Sequence, residues 1–219
     1  MRISGHWILA ALLFLPVTAR ADGLGAAIAY THYNTDFEFD QAATENADIS
    51  ELGLTIGESI TPFFDLALQG GYSSADFDNH PAADGYDLTG RFYGIVARTN
   101  PPIIPGLLSL RIQGAYRWHD VDNGRLDNQY DELTWYESQL RAGPDLDLGP
   151  VEIIVGGYLL HYDGHEKARG PLAFRRNFGA GSSHGAFARV ALDVGNGYIG
   201  LYAQTGPREG YGITFSTGF

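Results

Sequence analysis

The last nine residues, Tyr211 to Phe219, alternate strictly between two kinds of side chain. Tyr211, Ile213, Phe215, Thr217 and Phe219 fall on one face of an extended strand, and Gly212, Thr214, Ser216 and Gly218 fall on the other. Successive side chains of a β-strand point to opposite faces, so the pattern predicts a strand with one apolar face and one small, polar face. Such a strand fits between lipid and a crowded polar interior, as a membrane-spanning β-strand must.

Residues 1–21 have the pattern of an export signal. Arg2 gives a positive start, residues 7–15 form an apolar run, and Ala19-Arg20-Ala21 supplies a small-x-small cleavage pattern. The apolar run is too short to span a bilayer as a helix, which takes about 20 residues. We therefore expect a signal peptide over 1–21, followed by a single domain over 22–219.

Composition narrows the class of protein further. The chain has no Cys, so no disulfide framework holds it together after export. Its formal charge of −12 argues against a nucleic-acid partner. Glycine and tyrosine are abundant, with 29 and 13 residues, and both suit closely packed strands with aromatic girdles.

The two-residue period recurs along the rest of the chain and is clearest over 107–120. There Leu108, Leu110, Ile112, Gly114, Tyr116 and Trp118 oppose Ser109, Arg111, Gln113, Ala115, Arg117 and His119. An arginine facing lipid at mid-bilayer costs about 2–4 kcal/mol, so Arg111 and Arg117 are expected on the inner face. No run combines the apolar spacing and the caps of an amphipathic helix.

The alternating segments predict ten strands. They lie at about 24–36, 48–60, 63–76, 86–98, 107–120, 131–143, 151–162, 185–195, 198–205 and 210–219. An even number places both ends of the domain on the periplasmic side, and the connectors then alternate between shorter turns and mostly longer, polar loops. We predict an all-β fold, a closed antiparallel transmembrane up-and-down β-barrel of about ten strands, with eight as the alternative.

The terminal strand resembles the last strand of bacterial outer-membrane β-barrels, and the whole mature chain resembles the class of small porin-like, opacity-type surface barrels. The resemblance implies a location in the outer membrane of a Gram-negative bacterium. It implies contact with outer-membrane lipid and lipopolysaccharide, and assembly by the barrel-assembly machinery, with Tyr211, Phe215 and Phe219 as the assembly signal. It further implies a non-catalytic structural or surface-interaction role, with a narrow channel as one possibility.

Charged residues on the inner face decide between a filled lumen and a channel. The alternation places Arg91, Arg111, Arg117 and Arg141 inside, together with Glu137 and further carboxylates. Opposite charges in these numbers can form a hydrogen-bonded network that fills a small barrel. We predict such a barrel-interior polar network, with a narrow solute pore as the alternative.

The two most charged loops carry opposite signs. Asp120 to Glu132 is acidic but lacks the spacing of a calcium loop, so we predict no metal site and no cofactor. The expected loop over 163–184 is basic. Its Lys167, Arg169, Arg175 and Arg176 suit binding to phosphate or lipopolysaccharide.

A second resemblance offers an enzymatic alternative. Asp76-Phe77-Asp78 and Asp163-Gly164-His165 resemble the D-x-D and D-x-H pairs of the omptin outer-membrane proteases. The resemblance implies that the two pairs face each other across the barrel mouth, where Asp163 orients His165 and Asp76 with Asp78 holds a water. General-base activation of that water would give an endopeptidase.

Overall fold

The computed structural model describes residues 24–40, 44–77, 80, 87–124, 128–180 and 183–217. These residues form twelve strands: β1 Leu24–Phe39, β2 Thr44–Thr61, β3 Phe64–Phe77, β4 Leu88–Thr99, β5 Pro102–Ile104, β6 Leu108–Asp122, β7 Tyr130–Asp147, β8 Val151–Arg169, β9 Phe174–Ala180, β10 His184–Asp193, β11 Tyr198–Thr205 and β12 Arg208–Thr217. Within these ranges no helix is long and apolar enough to cross a membrane.

Ten of these strands form a closed antiparallel ring. Its order is β1-β2-β3-β4-β6-β7-β8-β10-β11-β12, with β12 pairing back onto β1. The short β5 pairs with β6, and β9 pairs with the second half of β8, at the end of the barrel that the even strand number predicts to be extracellular. The predicted closed up-and-down barrel is confirmed, and its ring has ten strands instead of the alternative eight.

The ring becomes smaller toward the extracellular end. β8 pairs with β10 over its first half, Val151–Leu159, but with β9 over Asp163–Ala168. β9 then pairs with β1 at Phe37–Phe39. At this end β9 therefore takes the place of β10, β11 and β12, so that eight strands close the ring. Because an eight-stranded barrel is only wide enough to be filled by side chains, this is the part of the lumen that packing closes most readily.

A belt of apolar side chains surrounds the barrel. The exposed residues of its outer face include Leu54, Ile56, Leu68, Ile95, Leu140, Leu159, Val190 and Leu201. On the extracellular side of this belt lie exposed aromatic residues, Tyr72, Tyr93, Trp118, Tyr136 and Tyr211. An apolar band bordered by an aromatic girdle is unfavourable in water and stable in a bilayer. The closed ring and this belt confirm the outer-membrane β-barrel that the alternation predicted.

Several strands are longer than predicted. β7 continues to Asp147, beyond the expected end at 143, and β8 continues to Arg169, beyond 162. The expected loop over 163–184 is instead the end of β8 and the whole of β9, which form a β-hairpin. Polar side chains on the outer faces of this hairpin hide it from a hydrophobicity pattern, because outside the bilayer neither face has to be apolar.

The C-terminal strand closes the barrel. The pairing of β12 with β1 runs from Arg208 opposite Thr35 to Thr217 opposite Ala26. Tyr211 and Phe215 face outward. Phe219 and the predicted signal peptide lie outside the described residues. The role of this strand as an assembly signal therefore stays a prediction.

Candidate functional site: the barrel lumen

A chain of charged side chains crosses the middle of the lumen. Arg117 on β6 binds Glu51 on β2 (Nη1 to Oε2, 2.9 Å) and Glu137 on β7. The second carboxylate oxygen of Glu137 binds Arg208, the first residue of β12. Tyr33 donates its hydroxyl proton to Oε1 of Glu51 at 2.8 Å. Each buried charge therefore has an opposite charge beside it, without which burial would be strongly unfavourable.

The imidazole of His119 lies between this charged layer and an aromatic layer on its extracellular side. His119 is fully buried and stacks on Trp135, with ring centroids 4.3 Å apart and planes 3° from parallel. Its nitrogens lie 3.7 Å from Glu51 and 3.9 Å from Glu137, and neither makes a hydrogen bond within the described residues. The His119 ring therefore packs like an apolar aromatic side chain, and the hydrogen-bonded network of charges does not include it.

The aromatic layer fills the extracellular part of the lumen. Phe37 lies at its centre, with ring centroids 4.9 Å from Phe178, 5.4 Å from Tyr162, 5.5 Å from Phe77 and 6.0 Å from Trp135. All five side chains are buried. Aromatic rings at these separations attract one another and pack into one buried cluster. This aromatic cluster lies where the ring narrows to eight strands.

Below the charged layer, an arginine-lined chamber of about 240 Å³ opens toward the periplasm. Its wall includes Arg98, Arg111, Arg141 and Arg189. Glu152 binds both Arg111 (3.0 Å) and Arg189 (2.9 Å). Arg141 has no carboxylate within 4.0 Å in the described part of the chain; it donates to Gln204 at 2.9 Å. About a fifth of the Arg111, Glu152 and Arg189 side chains is exposed, so water reaches the chamber.

A second charged cluster lies at the extracellular end, beyond the aromatic girdle. His80, Asp131 and Glu166 are fully buried there, and Glu45 is nearly so. Arg176 binds Glu45 through two bonds of 2.7 and 3.0 Å, and Oε2 of Glu166 at 2.5 Å. Burial raises the pKa of the Asp131 carboxyl to about 7; the neighbouring Glu166 raises it further and His80 opposes the shift.

The lumen contains most of the charged residues that the sequence placed there. Arg111, Arg117, Glu137 and Arg141 all lie inside. Arg91 does not: it is exposed on the outer face of β4, and the next residue, Phe92, is buried in the lumen. The inward assignment of Arg91 is therefore wrong. Arg91 lies opposite Asp120 and two residues beyond Tyr93 of the girdle, where an outward arginine meets water instead of lipid.

The sequence analysis misses Arg208, which lies in the short gap between the predicted strands 198–205 and 210–219. It is the first residue of β12 and is 2% exposed. The signal was present, because the inward series of Thr214 and Gly212 continues through Gly210 to Arg208 at the same two-residue period. A charged residue at the end of such a series is a candidate for the lumen.

The protease-like arrangement does not form. Asp76 and Asp163 are exposed on the outer face of the barrel, and His165 lies on that face as well. Asp163 accepts a hydrogen bond from Tyr136 of the girdle at 2.9 Å. β3 and β8 are on opposite sides of the ring, so outward-facing residues on them cannot converge on one substrate. The expected pairing across the mouth is wrong for Asp76, Asp163 and His165, and Asp78 lies outside the described residues.

The basic residues of the β8–β9 hairpin divide between its two faces. Lys167 and Arg175 are cross-strand neighbours on the outer face, and Arg169 is exposed beside the ring of Tyr130. Arg176 points the other way, into the extracellular cluster, where it lies 3.5 Å from the centre of the Phe39 ring. The expected phosphate contact by Arg176 is therefore wrong, because its guanidinium forms ion pairs with Glu45 and Glu166.

Solved structures that match the chain include domains of autotransporters. The translocator domain of NalP from Neisseria meningitidis is 9% identical over 98% of this chain and 94% of that one, with a TM-score of 0.42. The transport unit of AIDA-I from Escherichia coli is 11% identical over 96% and 94%, with a TM-score of 0.39. The β domain of the Bordetella autotransporter BrkA is 16% identical over 90% and 100%, with a TM-score of 0.34. No protein-family model and no curated protein matches the sequence.

Proposed function

We propose that the protein is a non-catalytic β-barrel of the bacterial outer membrane, closed to the passage of solutes, with its extracellular rim as the interacting surface. The observation that carries this proposal is the filling of the lumen by two successive layers, one charged and one aromatic. The apolar belt supports membrane insertion, and the predicted signal peptide supports export.

The charged layer supports a closed lumen because it links strands across the barrel. Glu137 on β7 binds Arg208 on β12, and three strands separate these two in the shorter direction around the ring. Arg117 extends the link to Glu51 on β2. A hydrated solute would have to break these ion pairs and leave buried charges without partners, at a cost of several kcal/mol.

The aromatic cluster supports closure independently of the charges. It lies on the extracellular side of the charged layer, in the eight-stranded part of the ring. Moving its rings aside would open a cavity in a packed core, which costs several kcal/mol for each large side chain. The charged layer and the aromatic cluster are therefore two successive barriers to a solute, the first electrostatic and the second due to packing.

The extracellular rim offers a basic surface for lipopolysaccharide. Lys167, Arg169 and Arg175 project from the outer face of the β8–β9 hairpin. Lys167 lies four residues beyond Asp163, which contacts the girdle residue Tyr136. At about 3.3 Å per residue along a tilted strand, this is about 10 Å beyond the girdle, where anionic head groups lie. Arginine and lysine bind phosphate oxygens by charge-assisted hydrogen bonds.

Conductance in planar bilayers tests the closed lumen. The purified protein is expected to insert without producing discrete, steady current steps, while a general porin added to the same bilayer serves as the positive control. Insertion is verified separately by protease protection of the reconstituted barrel. Steady ohmic steps from the inserted wild-type protein would show that solutes pass and would overturn the proposal.

A further inference from the structure

The extracellular charged cluster contains more negative than positive charge. Glu45, Asp131 and Glu166 contribute three carboxyl groups, and Arg176 contributes one permanent positive charge. Arg176 directs its guanidinium at Glu45, at Oε2 of Glu166 and at Nε2 of His80, which lies 3.1 Å from its Nη2. Counting the described residues alone, with His80 neutral and the carboxyls ionised, two negative charges remain uncompensated in this buried site. Such a site needs two further positive charges, either as protons or as a cation.

Asp131 has the greatest need of a partner. It is fully buried, and neither of its carboxylate oxygens accepts a hydrogen bond within the described residues. Oε1 of Glu166 is also buried without a hydrogen bond, 3.2 Å from Nε2 of His80. On the other side of the same ring, Nδ1 lies 3.7 Å from Oδ2 of Asp131. Three potential ligands thus face one another in a site shielded from water.

We propose that this cluster binds one divalent transition-metal ion through a nitrogen of His80 and the carboxylates of Asp131 and Glu166. One ligand atom from each residue can be chosen so that all three lie within 4.8 Å of one another. Ligands of a tetrahedral Zn²⁺ at 2.0–2.2 Å are about 3.4 Å apart, so shifts of about 1 Å close the site. Because Nε2 of His80 also faces Nη2 of Arg176, which only donates, the imidazole turns to present the Nδ1 that faces Asp131 to the ion.

The donor set indicates the class of metal. An imidazole nitrogen with carboxylate oxygens suits Zn²⁺ or Mn²⁺, whereas Ca²⁺ prefers six to eight oxygen ligands. The charge of a divalent ion equals the two uncompensated negative charges of the cluster. Glu45 and Arg176 then form the surrounding shell, in which Arg176 orients Glu166 through its Oε2.

The ion would cross-link three separate parts of the chain to one another at the mouth of the barrel. His80 lies between β3 and β4, Asp131 is on β7, and Glu166 is on β8. The His80 ring also contacts the aromatic cluster, with its centroid 4.9 Å from Phe77 and 6.3 Å from Phe39. Metal binding therefore secures His80 over the aromatic cluster and adds to the stability of the folded barrel.

Metal titration of the full chain, purified in detergent and treated with a chelator, tests the site. At pH 7.5 we expect one Zn²⁺ per chain and a higher temperature of thermal unfolding, and no comparable effect of Ca²⁺. Asp131→Asn is expected to weaken Zn²⁺ binding by more than about 10-fold, because it removes the charge of a direct ligand and loss of an outer-shell partner alone costs about 10- to 100-fold. At pH 5 protons compete for the same ligands, so the wild-type affinity is expected to fall.

Asp163→Asn is the matched control, because Asp163 is an exposed carboxylate on the outer face of β8. It should bind Zn²⁺ like the wild type. His80→Ala serves as a second loss-of-ligand variant; because His80 belongs to no strand, we expect the strand pairing to survive its removal. Absence of stoichiometric binding by the folded wild type, or unchanged affinity in either ligand variant, would overturn the proposal and leave shared protons as the occupants.

Discussion

Arg208, the first residue of β12, binds Glu137 on the opposite side of the lumen, and Glu137 in turn binds Arg117. One carboxylate thus holds two arginines that are far apart in the sequence. Both arginines are buried or nearly so, and Glu137 is 1% exposed. Glu137 is therefore the residue on which the charge balance of the closed lumen depends.

Glu137→Ala should lower the free energy of unfolding by about 3–5 kcal/mol, because it leaves two buried guanidinium groups without a shared partner. Urea unfolding of the protein in lipid vesicles, followed by tryptophan fluorescence, measures the change. Glu132→Ala is the control on the same strand, where the side chain is at the rim and opposite Lys167; it should cost less than about 1 kcal/mol. Equal effects of the two substitutions would contradict a central role for Glu137.

A pair of glycine substitutions tests the packing of the lumen. A Cβ atom at Gly71 of β3 would lie 2.1 Å from the backbone oxygen of Leu52 and 2.8 Å from the Phe92 ring. A Cβ at Gly114 of β6, on the outer face, meets nothing within 4 Å. Gly71→Ala is therefore expected to destabilise the barrel by about 1–3 kcal/mol, and Gly114→Ala to be neutral or slightly stabilising.

The measurement for both glycine variants is the temperature at which the folded band disappears in heat-modifiable gel migration. A drop for Gly71→Ala alone is the expected result. If Gly114→Ala lowered this temperature as much as Gly71→Ala, the inner face of β3 would not be packed as described.

Replacing the three outward cations of the β8–β9 hairpin should weaken the binding of lipopolysaccharide. A basic residue near an anionic membrane surface contributes about 1 kcal/mol, so the variant with Lys167→Ala, Arg169→Ala and Arg175→Ala should bind about 100-fold more weakly. Binding of purified lipopolysaccharide to the detergent-solubilised protein at low and high salt measures this effect, which salt should diminish.

Arg176→Ala is the control for this experiment. Its guanidinium lies in the extracellular cluster, bound to Glu45 and Glu166, so its loss should reduce stability without changing the salt-dependent binding of lipopolysaccharide. Strong loss of binding in Arg176→Ala, with little loss in the triple variant, would place the phosphate-binding surface elsewhere.

The fold was predictable because the bilayer enforces the two-residue period. On β6, Arg111 and Arg117 had to share the inner face, and both line the lumen. The same rule misled at Arg91. That residue lies beyond Tyr93 of the girdle. There the outer face meets water, so an outward arginine avoids the free-energy cost of facing lipid.

The extracellular half was harder to predict for the same physical reason. Arg175 and Arg176 are adjacent in sequence but point to opposite sides, which becomes apparent only when 174–180 is known to be a strand. His80, Asp131 and Glu166 come from three separate segments, so no spacing in the sequence brings them together. Their proximity is a product of strand order and register.

The narrowing from ten strands to eight has a consequence for the cell envelope. In the proposed closed barrel, the eight-stranded end faces the medium, while the arginine-lined chamber faces the periplasm. Any molecule that occupies the chamber must arrive from within the envelope, and any molecule that touches the basic hairpin must arrive from outside. Under the proposed function, one small protein thus presents two unconnected surfaces to two compartments and leaves the permeability barrier between them intact.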